Sequence, residues 1–152
     1  MKELYKNIKS IGLAIVGFDD MCHLTNIIEE IKDNIDYVVV GLQRISYNGE
    51  KLDPSDENEV LRLKDGGLID KVLYIDLDMR KEPREQETDK RNRLIDDIAE
   101  HGCSHALVID SDEFYTDKDF KKALRFLDDT NSEISYCRYV NYYHDYMHYL
   151  VY

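Results

Sequence analysis

Four short apolar runs limit the folds open to this chain: GLAIVGF at 12–18, YVVVG at 37–41, KVLYI at 71–75 and the ALVID that opens residues 106–115. The first two read as buried strands, and each run leads into a segment of helical period. Leu24, Ile27, Ile28 and Ile31 share one helical face, with charged residues opposite. Ser55 is expected to cap a short helix carrying Val60, Leu61 and Leu63, which the Gly66-Gly67 pair stops in the left-handed region. Residues 80–90 are almost entirely charged or polar. After them the pattern predicts a helix over about 89–100 that buries Leu94, Ile95, Ile98 and Ala99 and ends at Gly102. Thr116 and Asp119 form a capping box for a last helix, with Phe120, Ala123, Leu124 and Leu127 on one face. Strand character returns from Ser132 onward. This alternation predicts an α/β fold, a mainly parallel open sheet with helices on both faces. At 152 residues the whole chain reads as a single domain.

The C-terminal stretch YCRYVNYYHDYMHYLVY, residues 136–152, holds seven of the twelve tyrosines. Its first half alternates like a strand, while Tyr142, Tyr146 and Tyr149 also fit a helical face, so both periods stay open. An aromatic segment of this kind needs a surface to pack on. It predicts either self-association or a natural protein that continues past Tyr152, with its C-terminal part missing here.

Charge and cysteine usage exclude several classes. Acidic residues outnumber basic ones 32 to 20, for a formal net charge of -12, which opposes a surface built to grip nucleic acid or an anionic membrane. Cys22, Cys103 and Cys137 show no metal-ligand spacing and read as free thiols of a reducing cytoplasm. No apolar run approaches the roughly 20 residues that span a bilayer, and MKELYKNIKS lacks a signal-peptide core. A cytoplasmic location is the expectation. Neither a Walker-type phosphate loop nor a dinucleotide fingerprint follows the first strand, which disfavours kinases and dehydrogenases.

The chemistry concentrates in ALVIDSDEFY, residues 106–115. An apolar strand there releases Asp110, Asp112 and Glu113 at its C-terminal end, where ligands of open α/β sheets collect. Two aspartates one residue apart can share a hard divalent cation, and that cation can neutralise the phosphates of a nucleotide. Asp76-Leu77-Asp78 repeats the motif but runs into a charged stretch and reads as a solvated loop. His144, Asp145 and His148 form a possible late ligand group for Mn2+, set against a packing role in a tyrosine-rich segment. Cys103 and His105, at a helix stop, read as structural.

Together the Lys90-Arg91-Asn92-Arg93 helix opening, the Gly102 stop and the strand ending in DSDEF resemble the nucleotide-sugar glycosyltransferases of the GT-A fold, closest to family-2-like members. That resemblance, carried by residues 88–115, implies a metal-dependent transfer of sugar from a nucleoside-diphosphate donor, a UDP-sugar foremost, to a saccharide, lipid or protein acceptor. It implies Mn2+ or Mg2+ on Asp112, with Asp110 near the donor ribose or a metal-bound water and Glu113 in support. It sets Arg91 beside the nucleotide, and Gly17, Phe18 and Asp19 in the loop that cradles the nucleobase. Gly41-Leu42-Gln43-Arg44 stands where the family carries an acidic reader of uracil, and the family's acceptor-binding half and catalytic base would lie beyond Tyr152. Two other readings stay open: a non-catalytic binding or assembly module derived from a transferase, and a nucleotidyltransferase, whose Gly-rich basic loop is missing from the first strand.

Overall fold

A computed structural model describes residues 5–19, 21–76, 78 and 80–135, together with the backbone of 141–143 and 145–150. Strand β1 (Ile11–Gly17) leads through a 3-10 turn into α1 (Leu24–Ile31) and then β2 (Tyr37–Gln43). Helix α2 (Pro54–Asp65), β3 (Lys71–Ile75), α3 (Pro83–His101), β4 (His105–Asp110) and α4 (Asp117–Thr130) follow. The backbone of β5 (Asn141–Tyr143) and β6 (Asp145–Leu150) forms a separate antiparallel pair. Cys137 and Asp20, and the side chains of His144, Asp145, His148 and the C-terminal tyrosines, lie outside the described residues.

β1 to β4 form one wholly parallel sheet in the order β3-β2-β1-β4. Every residue of β1 and β2 is buried, as a central parallel strand covered on both faces requires. On one face Leu13, Ile15, Val38, Val40, Leu42 and Ile109 pack against α1, α2 and α4 through Leu24, Ile28, Val60, Leu63, Phe120 and Leu124. On the other, Ala14, Val16, Tyr37 and Val39 pack against α3 through Leu94 and Ile98. The fold is a doubly wound, Rossmann-like α/β sheet, as its alternating pattern predicts. Among the described residues no helix is long and apolar enough to cross a membrane.

Several local expectations change. Helix α3 begins at Pro83, with Glu82 at its N-cap, so most of the charged stretch is helical. A proline at the first helical position suits the helix because its missing N–H has no partner to lose. Leu94 and Ile98 are buried as expected, but Ile95 and Ala99 are exposed, because the helix turns Asp97 inward instead. The Asp97 carboxylate accepts a 2.8 Å hydrogen bond from the Tyr37 hydroxyl and pairs with Lys71, so a buried charge is tolerated there. Helix α2 is capped by Asp53 rather than Ser55. The Asp53 carboxylate accepts from the Ser55 N–H at 2.8 Å, Leu61 is exposed, and of the two glycines only Gly67 has positive φ. The Gly102 stop is left-handed as expected, at φ 94°. Thr116 accepts from the Asp119 N–H at 3.2 Å, while the Asp119 carboxylate returns to the Thr116 hydroxyl rather than to its N–H.

Candidate functional site

Strand order decides where a cleft opens. From β1 the chain winds outward through β2 to β3, then crosses back over the sheet by α3 to place β4 on the other side of β1. The strand order thus reverses between β1 and β4, and the crevice at the C-terminal ends of these strands is the topological switch point of the sheet. A cleft of about 280 Å³ lies there, lined by Val16, Gly17, Phe18 and Asp19 from the end of β1, by Asp110, Ser111 and Asp112 from the end of β4, and by Glu87, Lys90 and Arg91 from α3. All six residues singled out for the donor site, Gly17, Phe18, Asp19, Arg91, Asp110 and Asp112, border this one cleft.

Hydrogen bonds hold the two strand ends in register. The Ser111 N–H donates to the Val16 carbonyl at 3.1 Å, and the Ser111 hydroxyl donates to the Asp19 carbonyl at 3.0 Å. A Cβ on Gly17 would stand 2.0 Å from Cε of the buried Met21, so the end of β1 packs tightly beneath the cleft. Glu113 folds back, its carboxylate accepting from the Asp110 N–H at 3.1 Å, which makes it a support of the turn.

Helix α3 supplies a polar network that sequence reasoning missed. Arg91 Nη2 donates to Asp110 Oδ1 at 2.6 Å, and Arg91 Nε donates to Glu87 Oε1 at 2.9 Å. The other oxygen of Glu87 is 2.8 Å from Lys90 Nζ and accepts from the Tyr47 hydroxyl at 2.9 Å. Lys90, almost wholly buried, also donates to Gln43 Oε1 at 3.3 Å, and Gln43 in turn donates to the Ile45 carbonyl at 2.7 Å. Glu87 thus anchors both cations of the cleft. The sequence signal was their spacing: Glu87 stands three residues before Lys90 and four before Arg91, the offsets that bring helical side chains together.

These contacts shift the acidities. Burial raises the Asp110 pKa from its ordinary value; Arg91 pulls it down, but burial together with Glu113 and Glu87 outweighs that pull. For Glu87 burial acts upward too, yet Lys90, Tyr47 and Arg91 outweigh it and hold the carboxyl below its usual value. Burial and the bond to Glu87 push Tyr47 up to about 12.

Among the described residues no three His, Cys, Asp or Glu side chains are grouped to hold a metal ion. The oxygen donors Asp110 and Asp112 fit a hard cation that takes one or two carboxylates and completes its shell with phosphate oxygens and water, as Mg2+ does. Asp112 is exposed, whereas Asp110 is engaged by Arg91. Asp78 lies outside the cleft, its carboxylate held by Arg80 at 2.8 Å. Arg44 sits over the Tyr74 ring at 3.8 Å and faces Glu57 at 3.5 Å, and Arg93 is exposed outside the cleft. Cys103 packs against the α3 side of the core.

No family model, curated protein or solved structure matches this chain.

Proposed function

We propose that the chain is the donor-binding part of a metal-dependent glycosyltransferase acting on a nucleoside-diphosphate sugar. One observation carries this reading: the loop after β1, the Asp110-Ser111-Asp112 turn and Arg91 converge on a single cleft at the switch point of the sheet. A divalent cation held by Asp110 and Asp112 would supply charge stabilisation to the departing nucleoside diphosphate. Arg91 presents a planar fork of donors suited to phosphate oxygens, and Glu87 fixes its orientation. Gly17 to Asp19 bound the end of the cleft assigned to the nucleobase. In the reaction, the bond from the anomeric carbon to phosphate oxygen breaks as the bond to an acceptor hydroxyl oxygen forms, and the acceptor loses its proton.

Titration of UDP and GDP into the protein by calorimetry, with Mn2+ and then with EDTA, tests the proposal. Metal-dependent binding that disappears in Asp112→Ala, with the circular dichroism spectrum unchanged, is the expected result. Binding that is indifferent to EDTA and to the substitution would sink it. A second reading, an assembly module, draws on the exposed Phe126 and Ile134. A mass that rises with protein concentration, without nucleotide binding, favours that reading.

A further inference from the structure

The Arg91–Asp110 pair has a consequence for how the cleft fills. One of the two carboxylates suited to a cation already has a cation on it: the guanidinium lies 2.6 Å from Asp110, with a third of its own side chain exposed. Its Nε is tied to Glu87 at 2.9 Å, and because the guanidinium is a rigid plane it leaves Asp110 by swinging as a unit, which gives up that tie while Glu87 keeps Lys90 and Tyr47. The other cation, Lys90, is held by Glu87 and Gln43. Asp19 and Asp112 border the cleft as well, and among the described residues neither is in an ion pair.

Each ligand alone therefore meets an obstacle. A bare divalent cation on Asp110 is opposed by the guanidinium already bound to Oδ1, which it must displace to take both oxygens of that carboxylate and which then lacks that partner. A bare polyanion faces Asp19 and Asp112 uncompensated. When both arrive together, the cation takes the carboxylates and the released guanidinium turns to the anion. Building on the donor-site reading, we infer that Arg91 is a resident counter-ion of Asp110, exchanged between carboxylate and ligand, so that the cleft takes divalent cation and diphosphate as one chelate and holds either alone weakly. Arg91 then sets the ligand class, a metal–diphosphate rather than a free metal or a free nucleotide. Such exchange makes the two ligands positively coupled, and the coupling is reciprocal.

The test measures Mn2+ binding by the paramagnetic resonance signal of free Mn2+, and UDP binding by calorimetry, for the native chain, Arg91→Gln and Arg91→Lys. In Arg91→Gln, Mn2+ alone is expected to bind tighter by about fivefold or more, the low end of ordinary coupling. The enhancement of UDP binding by Mn2+ should shrink in the same variant. Arg91→Lys, which keeps the charge without the planar fork, should retain weak binding of Mn2+ alone. If the native chain binds UDP with Mn2+ while Arg91→Gln binds Mn2+ alone no tighter than the native chain does, the exchange is wrong and the donor site stands. If the native chain binds UDP neither with nor without Mn2+, both are overturned.

Discussion

Glu87 carries the most structure for a single residue of the cleft, since it pairs with Lys90, Arg91 and Tyr47 at once. Its folded pKa is held below the ordinary glutamate value, so folding favours the ionised form. The stability it contributes is full above the unfolded value of about 4.3 and fades as pH falls through the lower folded value. Glu87→Gln is accordingly expected to unfold more easily at neutral pH, by about 1 kcal/mol once screening of a partly exposed carboxylate is allowed for. In acid, below both values, the difference between native and variant should close. Urea midpoints measured at neutral pH and at successively lower pH check this, and a gap that widens in acid would contradict it. Lys90 illustrates why the network was hard to foresee: a lysine in a charged run gives no sign of burial, and only packing of α3 on the sheet encloses it beside Gln43.

Helix α3 is the element whose description changed most. Its buried stripe, Gln86, Lys90, Leu94, Asp97 and Ile98, is mostly polar, so apolar periodicity was visible only in its second half. So polar a helix lies close to the sheet where two glycines stand beneath its aliphatic side chains. A Cβ on Gly12 would fall 2.5 Å from Ile98 Cγ2, and one on Gly41 would fall 2.9 Å from Leu94 Cδ1. Gly12 and Gly41 thus let the backbone of β1 and β2 approach the helix, and two aliphatic side chains suffice to fill the gap. Gly12→Ala is expected to destabilise the fold by about 1–3 kcal/mol through overpacking, with little change in the denaturant slope. An equal or greater stability of the variant would show that α3 can shift outward without loss. Helices α1 and α4, whose apolar stripes are continuous, behave as read, and so does the Gly102 stop, while of the Thr116–Asp119 capping box only the Thr116 half forms.

For the molecule as a whole, a formal net charge of -12 acts against compactness by self-repulsion. Salt screens that repulsion, and the screening length contracts from about 30 Å at 0.01 M to about 8 Å at 0.15 M. The thermal midpoint is therefore expected to rise between those ionic strengths, and scanning calorimetry at both checks it. A midpoint that falls with salt would mean that attractive pairs such as Lys71–Asp97 and Arg91–Asp110 outweigh the net field. The sequence by itself determined the alternation of apolar strands and helices, and with it the parallel sheet, because the two-sided burial of β1 and β2 demands continuous apolar runs and the edge strands β3 and β4 keep the same run in shorter form. It also marked the end of β4 at Asp110 as a place where ligands of open α/β sheets collect, whereas the end of β1 at Gly17 was singled out through the family resemblance alone. Tertiary structure alone decided that these two ends adjoin, because the neighbours of β1 depend on the return crossover of α3 and not on local pattern. It also decided that Glu87 and Lys90 join them, because whether a charged side chain is buried depends on what the fold lays against it.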